Sequence, residues 1–200
     1  MSSFISAKTA AEKLADGMNI GICGFGGWLG ADLVFSAIRD RYSLTGHPAG
    51  LRVISGILPG NLTDEPVGMN LLALDGLLSQ ISAAHVGMAP LLGRMIAENR
   101  IRAFALPLGL VSNTLRAAAG RKPLVLSRVG LGTFCDPRLE GGALNAAAAD
   151  SREAIAQVLT IDGEEFLAYK APKLDACILR ASLADKSGNV SSMNDPMTAE

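Results

Sequence analysis

The sequence predicts an α/β fold: a mostly parallel sheet with helices on both faces, followed by a β-rich C-terminal stretch. Short apolar segments of strand length alternate with amphipathic segments of helix length from Ala7 to Ala119, the pattern of parallel strands joined by crossover helices. The composition is 49% hydrophobic but only 4% aromatic, with 22 glycines, which suits an aliphatic core and many tight strand-to-helix turns. The last part breaks the alternation. Strand-like segments Ile155 to Ile161, Glu165 to Tyr169 and Ala176 to Arg180 lie around Asp162-Gly163-Glu164, a hairpin-type turn.

The elements follow in order. Ala7 to Leu14 reads as a short amphipathic helix ended by Asp16-Gly17, and the apolar strand Asn19 to Cys23 comes next. Gly24-Phe25-Gly26-Gly27 turns the chain into a second helix, Asp32 to Tyr42, which Gly46-His47-Pro48 stops. A strand at Leu51 to Ser55 leads into Ile57 to Met69, a stretch rich in Gly, Pro, Asn and Asp. Loops of that length are uncommon unless they serve a site. Helix is then expected over Leu71 to Leu78, strand over Ile81 to His85, helix over Ala89 to Asn99, strand over Ala103 to Ala105 and helix over Leu110 to Ala119. The alanine-rich Ala143 to Ala149 reads as the start of an exposed connection. No linker divides the chain, so its 200 residues form one domain with one core. Near the end, Asn194-Asp195-Pro196 is a good helix start, yet Glu200 closes the sequence four residues later.

Composition also excludes function classes. A net charge of −1 leaves no basic surplus for a phosphate backbone, so nucleic acid is not an expected partner. Cys23, Cys135 and Cys177 are odd in number and far apart, with no C-x-x-C pair and no His at metal spacing. Three free thiols, a reducing compartment and no metal are expected. Met1 to Ala11 carries Lys8 and no apolar core of a signal peptide, and no run of 18 apolar residues occurs. The expectation is a cytoplasmic protein with no membrane segment. A mean hydropathy of +0.30 is high for a small monomer, which points to a partner subunit or further domain covering apolar surface, and so to an oligomer.

Nucleotide motifs fail. In Gly24-Phe25-Gly26-Gly27-Trp28-Leu29-Gly30 the sixth position of G-x-G-x-x-G is Leu29, and no glycine precedes a P-loop lysine. No G-x-S-x-G elbow occurs, and His47 and His85 are too few for a triad or metal site, so both are read as structural. The glycine turn after the first strand differs in kind. Backbone N–H groups at the carboxyl end of a parallel strand can cradle an oxyanion or carboxylate, or simply close a tight turn. The most informative segment is Val129-Gly130-Leu131-Gly132-Thr133-Phe134-Cys135-Asp136-Pro137-Arg138-Leu139-Glu140-Gly141-Gly142. Core packing does not explain so dense a mix of glycine, small polar and single charged residues; it reads as a shaped functional loop.

That segment closely resembles the V-G-L-G-T-F-V-D-P-R-x-x-G-G stretch of family I coenzyme A transferases, the propionate or acetoacetyl type. Further similarities run along the chain in order: Asp16-Gly17 and Gly24-Phe25 in the opening signature, Val67-Gly68-Met69-Asn70, Ala84-His85, and Leu106-Pro107-Leu108-Gly109 against L-P-Q-G. Glu164 to Lys170 and Ala184-Asp185-Lys186-Ser187-Gly188-Asn189 continue the series. The resemblance implies the N-terminal or α half of an enzyme that moves coenzyme A between a thioester and a carboxylic acid. It also implies a glutamyl-CoA intermediate whose glutamate lies in the other half, fused or separate. The acyl-CoA thioester would be the substrate, with no bound cofactor. Gly24, Phe25, Gly26 and Gly27 would line the acyl end, with Asn70, Pro107 and Gly109 nearby and Gly130, Gly132, Thr133 and Phe134 shaping an adjoining wall. Asp136 and Glu140 match positions that are not the nucleophile, and Asp136 is read as a loop organiser.

The chain departs from the family pattern where the site should be. Leu108 stands in place of a glutamine at an expectedly buried position, Leu71 follows Asn70 where His is common, and Gly30-Ala31-Asp32 lacks a proline. A bulkier or more apolar substrate is one expectation. A non-catalytic partner of the same fold, an acyl-CoA thioester hydrolase, or another activity on the fold are the alternatives.

Overall fold

The computed structural model describes residues 4–24, 26 and 30–193. Five parallel strands form the central sheet: β1 (Asn19–Ile22), β2 (Leu51–Ile57), β3 (Leu78–His85), β4 (Arg102–Ala105) and β8 (Ala176–Ile178), in the order β4-β3-β2-β1-β8. A second, antiparallel sheet has the order β5-β7-β6, from β5 (Leu124–Ser127), β6 (Ala156–Ile161) and β7 (Glu164–Lys170). A small ribbon pairs β9 (Leu183–Ala184) with β10 (Val190–Ser191).

The helices are α1 (Ala7–Glu12), α2 (Asp32–Thr45), α3 (Pro90–Ala97), α4 (Leu108–Ala119) and α5 (Ala146–Asp150). Local chemistry explains their ends. Ser6 caps α1 by accepting from the Thr9 amide at 3.0 Å, Gly46 ends α2 in the left-handed conformation, and Pro90 starts α3.

Both faces of the parallel sheet are covered, and side-chain alternation sends successive residues to opposite sides. Val53, with Ile20, Ile22, Ile81 and Ala103, packs with Phe35 and Ile38 of α2 and Leu92, Met95 and Ile96 of α3. The next residue, Ile54, faces the other way, toward Leu110 and Val111 of α4 and Ala156, Leu167 and Tyr169 of the antiparallel sheet. Leu51, Val53, Ile54 and Ile57 supply β2 with apolar side chains for both faces, although Arg52 and Ser55 interrupt the run.

Three expectations need correction, and one strand went unread. Leu71 to Leu78 is not a helix: a 3-10 turn spans Gly68–Leu72, Gly76 takes φ +80, and β3 begins at Leu78. The apolar spacing arises because Leu71, Leu72, Leu77 and Leu78 enter one core from two different elements. Ala143 to Ala149 is not merely an exposed connection, since Asn145 caps α5 and Ala148 is buried. Leu124–Ser127 is a strand the pattern did not announce. Ala176–Ile178 leaves the hairpin region and joins β1 as a fifth parallel strand. The turn at Asp162-Gly163 does close a hairpin, β6 to β7, with φ positive at both residues. Asn194-Asp195-Pro196 lies outside the described residues.

Candidate functional site

The carboxyl ends of β2, β3 and β4 open into a cleft of about 500 Å³, the place where ligands bind in open α/β sheets. Its floor is Ile57, Ala84, His85, Ala105 and Leu106 from the strand ends. Pro107 and Leu108, where α4 begins, form one side, and Val129, Gly130, Thr133, Phe134 and Cys135 form the other.

The second wall is held by a dense set of bonds. Asp136 is almost fully buried, accepts from the Gly132 amide at 3.0 Å and the Arg138 amide at 3.0 Å, and pairs with the Arg138 guanidinium at 2.8 Å. Arg138 also reaches both carboxylate oxygens of Glu165 on β7, at 2.8 and 2.9 Å. The guanidinium, then these amides, hold the Asp136 carboxyl far below the usual carboxylate range. Asp136 is therefore the loop organiser that the sequence suggested.

Thr133 donates to the Gly130 carbonyl at 2.8 Å and accepts from the Cys135 amide at 3.2 Å. Burial pushes the Cys135 thiol up, and its Sγ lies 3.6 Å from the Ala105 carbonyl oxygen. Tyr169 donates its hydroxyl to the Val129 carbonyl at 2.8 Å, and burial pushes that phenol up to about 12. Gly130 packs directly above, at φ +97, where a Cβ would collide with the Tyr169 hydroxyl. The loop can have this shape only with glycine at that point.

Of the residues singled out in the sequence, Pro107, Gly130, Thr133 and Phe134 meet in this cleft. Gly132 sits in the same loop but spends its amide on Asp136, and Gly109 lies in the first turn of α4 without lining the cleft. Gly24 is buried after β1. Gly26 borders a separate hollow of about 160 Å³ with Gly30, Asp32, Gly60, Asn61, Val67 and Gly68. There the Gly60 amide donates to the Gly26 carbonyl at 3.2 Å. Phe25 and Gly27 lie outside the described residues.

Asn70 is buried with its amide fully used: it donates to the Thr63 and Glu65 carbonyls at 2.8 and 3.0 Å, and accepts from the Leu91 amide at 3.0 Å. It organises the long loop and tethers it to the start of α3. Leu108 is 45% exposed rather than buried, because it occupies the first turn of α4 and faces the open cleft.

Sequence reasoning missed His85 as a cleft residue. Its ring makes no hydrogen bond among the described residues, and the similarity of Ala84-His85 to the family pattern was the available signal. His47 pairs with Asp16 at 2.8 Å at the opposite end of the strands. Cys135 and Cys177 carry free thiols. Among the described residues no helix is long and apolar enough to cross a membrane.

The model of the family described as coenzyme A transferase matches residues 4–196. The chain belongs to the coenzyme A transferase family. It is 39% identical over 197 residues to the caffeate CoA-transferase of Acetobacterium woodii, covering 98% of this chain and 36% of that protein. It superposes on the acyl-CoA transferase YdiF of E. coli O157:H7, solved as a thioester complex with CoA, with a TM-score of 0.87 at 33% identity, over 94% of this chain and 36% of that one. The chain thus spans about a third of the length of these relatives. It also matches the probable coenzyme A transferase subunit alpha of Bacillus subtilis, 22% identical over 196 residues, 93% of this chain and 70% of that subunit. Within the family it is an α-type unit.

Proposed function

We propose that residues 1–200 form the N-terminal, α-type domain of an enzyme that transfers coenzyme A between an acyl-CoA thioester and a carboxylic acid. The transfer runs through a glutamyl-CoA thioester, and the glutamate belongs to a second half, fused or separate, that faces the strand-end cleft. A carboxylate nucleophile divides one difficult exchange into two acyl transfers.

The observation that carries this is the cleft itself. It lies at the carboxyl ends of the parallel strands in a coenzyme A transferase fold, and none of its described lining residues is Asp or Glu. The nearest buried carboxylate, Asp136, is committed to Arg138 and the loop amides. This supports a carboxylate nucleophile that reaches the cleft from outside these residues. Exposed Leu108, Val129 and Phe134 on its rim supply apolar surface for that second half to cover, in an oligomeric, cytoplasmic enzyme that needs no cofactor besides its thioester substrate.

The test is intact-mass spectrometry of the complete enzyme after incubation with acyl-CoA alone. The expected product is enzyme carrying CoA through a hydroxylamine-labile bond, mapped by peptide analysis to a glutamate outside residues 1–200. An adduct on a residue of this chain, or strictly sequential kinetics with no adduct, would refute the proposal.

A further inference from the structure

We infer that the strand-end cleft is an acyl pocket selective for apolar acyl groups of about six carbons or more, without a second charge, and that Leu108 is a specificity-determining residue in it. This inference rests on the transferase function proposed above and deepens it.

The cleft's lining carries the argument. Among the described residues it contains no Lys, Arg, Asp or Glu. Its polar side chains are three, and two are committed: Thr133 to the Gly130 carbonyl and the Cys135 amide, and Cys135 to the Ala105 carbonyl. His85 alone is uncommitted. An acyl group ending in a second carboxylate would find no Lys or Arg among this chain's described lining to offset its lost hydration, which is strongly unfavourable. At about 500 Å³ the space is in the range that encloses drug-sized molecules, roughly 300–1,000 Å³. An acetyl group would leave the inner apolar lining, such as Ile57 and Leu106, without substrate contact, whereas a longer chain or an aromatic ring reaches it.

Leu108 is placed to read this difference. It occupies the first turn of α4, beside Pro107, and its half-exposed side chain lines the cleft together with Phe134's loop. Apolar contact gains about 4-fold in binding for each buried methylene.

The complete enzyme is assayed with acetyl-, hexanoyl-, 3-phenylpropenoyl- and succinyl-CoA as donors and butyrate as common acceptor, with butyryl-CoA followed by chromatography. The hexanoyl and phenylpropenoyl thioesters should exceed acetyl and succinyl by at least 10-fold in kcat/KM. Leu108→Gln should lower the hexanoyl-to-acetyl ratio about 4-fold. That ratio is taken within one preparation, so a partly folded variant does not distort it. Acetyl- or succinyl-CoA matching the six-carbon donor, or a ratio unmoved by Leu108→Gln, overturns the inference. If no thioester is transferred, the transferase proposal itself fails. Calorimetric binding of hexanoyl-CoA against acetyl-CoA then decides the pocket separately: a preference of 10-fold or more upholds it and one below 10-fold overturns it.

Discussion

Removing the Asn70 amide tests whether the long loop is an organised part of the site. Asn70 makes three hydrogen bonds from a buried position, two to loop carbonyls and one from the α3 amide of Leu91. At about 1 kcal/mol net for each bond, Asn70→Ala loosens the loop by about 3 kcal/mol. Because 1.4 kcal/mol is tenfold in an equilibrium, local opening becomes roughly 100-fold more frequent. The assay is hydrogen exchange of the complete enzyme, read at the Met69 amide, which donates to the Pro59 carbonyl at 2.7 Å within the same loop. Asn70→Asp is the sharper arm. It keeps the shape and the acceptor for Leu91 but aims a carboxylate oxygen at two carbonyls, so its exchange should be at least as fast as that of the alanine variant. Wild-type protection in Asn70→Asp would refute the hydrogen-bond account and return Asn70 to a direct substrate role.

Two further outcomes follow from the opposite wall. Gly130→Ala should disrupt the loop, because the new methyl collides with the Tyr169 hydroxyl at a backbone φ of +97. Tyr169→Phe alone should cost about 1 kcal/mol, one hydrogen bond, and should relieve part of the Gly130→Ala defect when the two are combined; strictly additive losses in urea unfolding would refute the contact. The Asp136 carboxyl is held below its unfolded value of about 3.9. Its contribution to stability is thus complete above that value and is lost as pH falls through the lower, folded one. The acid limb of the unfolding profile should flatten in Asp136→Asn, and a variant whose acid limb matches the wild type would contradict this.

How much the sequence disclosed differed by region for physical reasons. The parallel sheet was legible where both faces of a strand are buried, as in Leu51–Ile57, and where crossover helices carry one apolar stripe, as in Pro90–Ala97. It failed where two elements share one core. The leucines from Leu71 to Leu78 mimic a helical period but belong to a turn and a strand, and Gly76 breaks any helix between them. Ala176–Ile178 was seen as a strand, but its sheet was not, because register against Ile20 to Ile22 is a long-range choice that local pattern does not encode. In the site, the Val129 to Gly142 loop stood out because its glycines and Asp136 serve shape. Asn70 is hydrogen-bonded within the loop, and a saturated buried amide and a ligand-binding one look alike in sequence.

The chemistry of the two walls bears on what a nucleophile needs. Asp136 and Glu165 are spent on architecture: both bind Arg138, and neither lines the cleft. What remains toward the cleft is apolar, with His85 as the uncommitted polar group among the described lining. A carboxylate brought against such a wall loses hydration, and desolvation raises the energy of its charged form. It becomes a stronger nucleophile toward a thioester than a solvated carboxylate is, provided that partners outside this chain keep it ionised. The same apolar wall would favour apolar acyl groups over charged ones. Leu108→Gln would rehydrate it, so the variant should weaken both the reactivity of the incoming carboxylate and the preference for long acyl groups. A variant that lost one and kept the other would show that the two properties have separate origins.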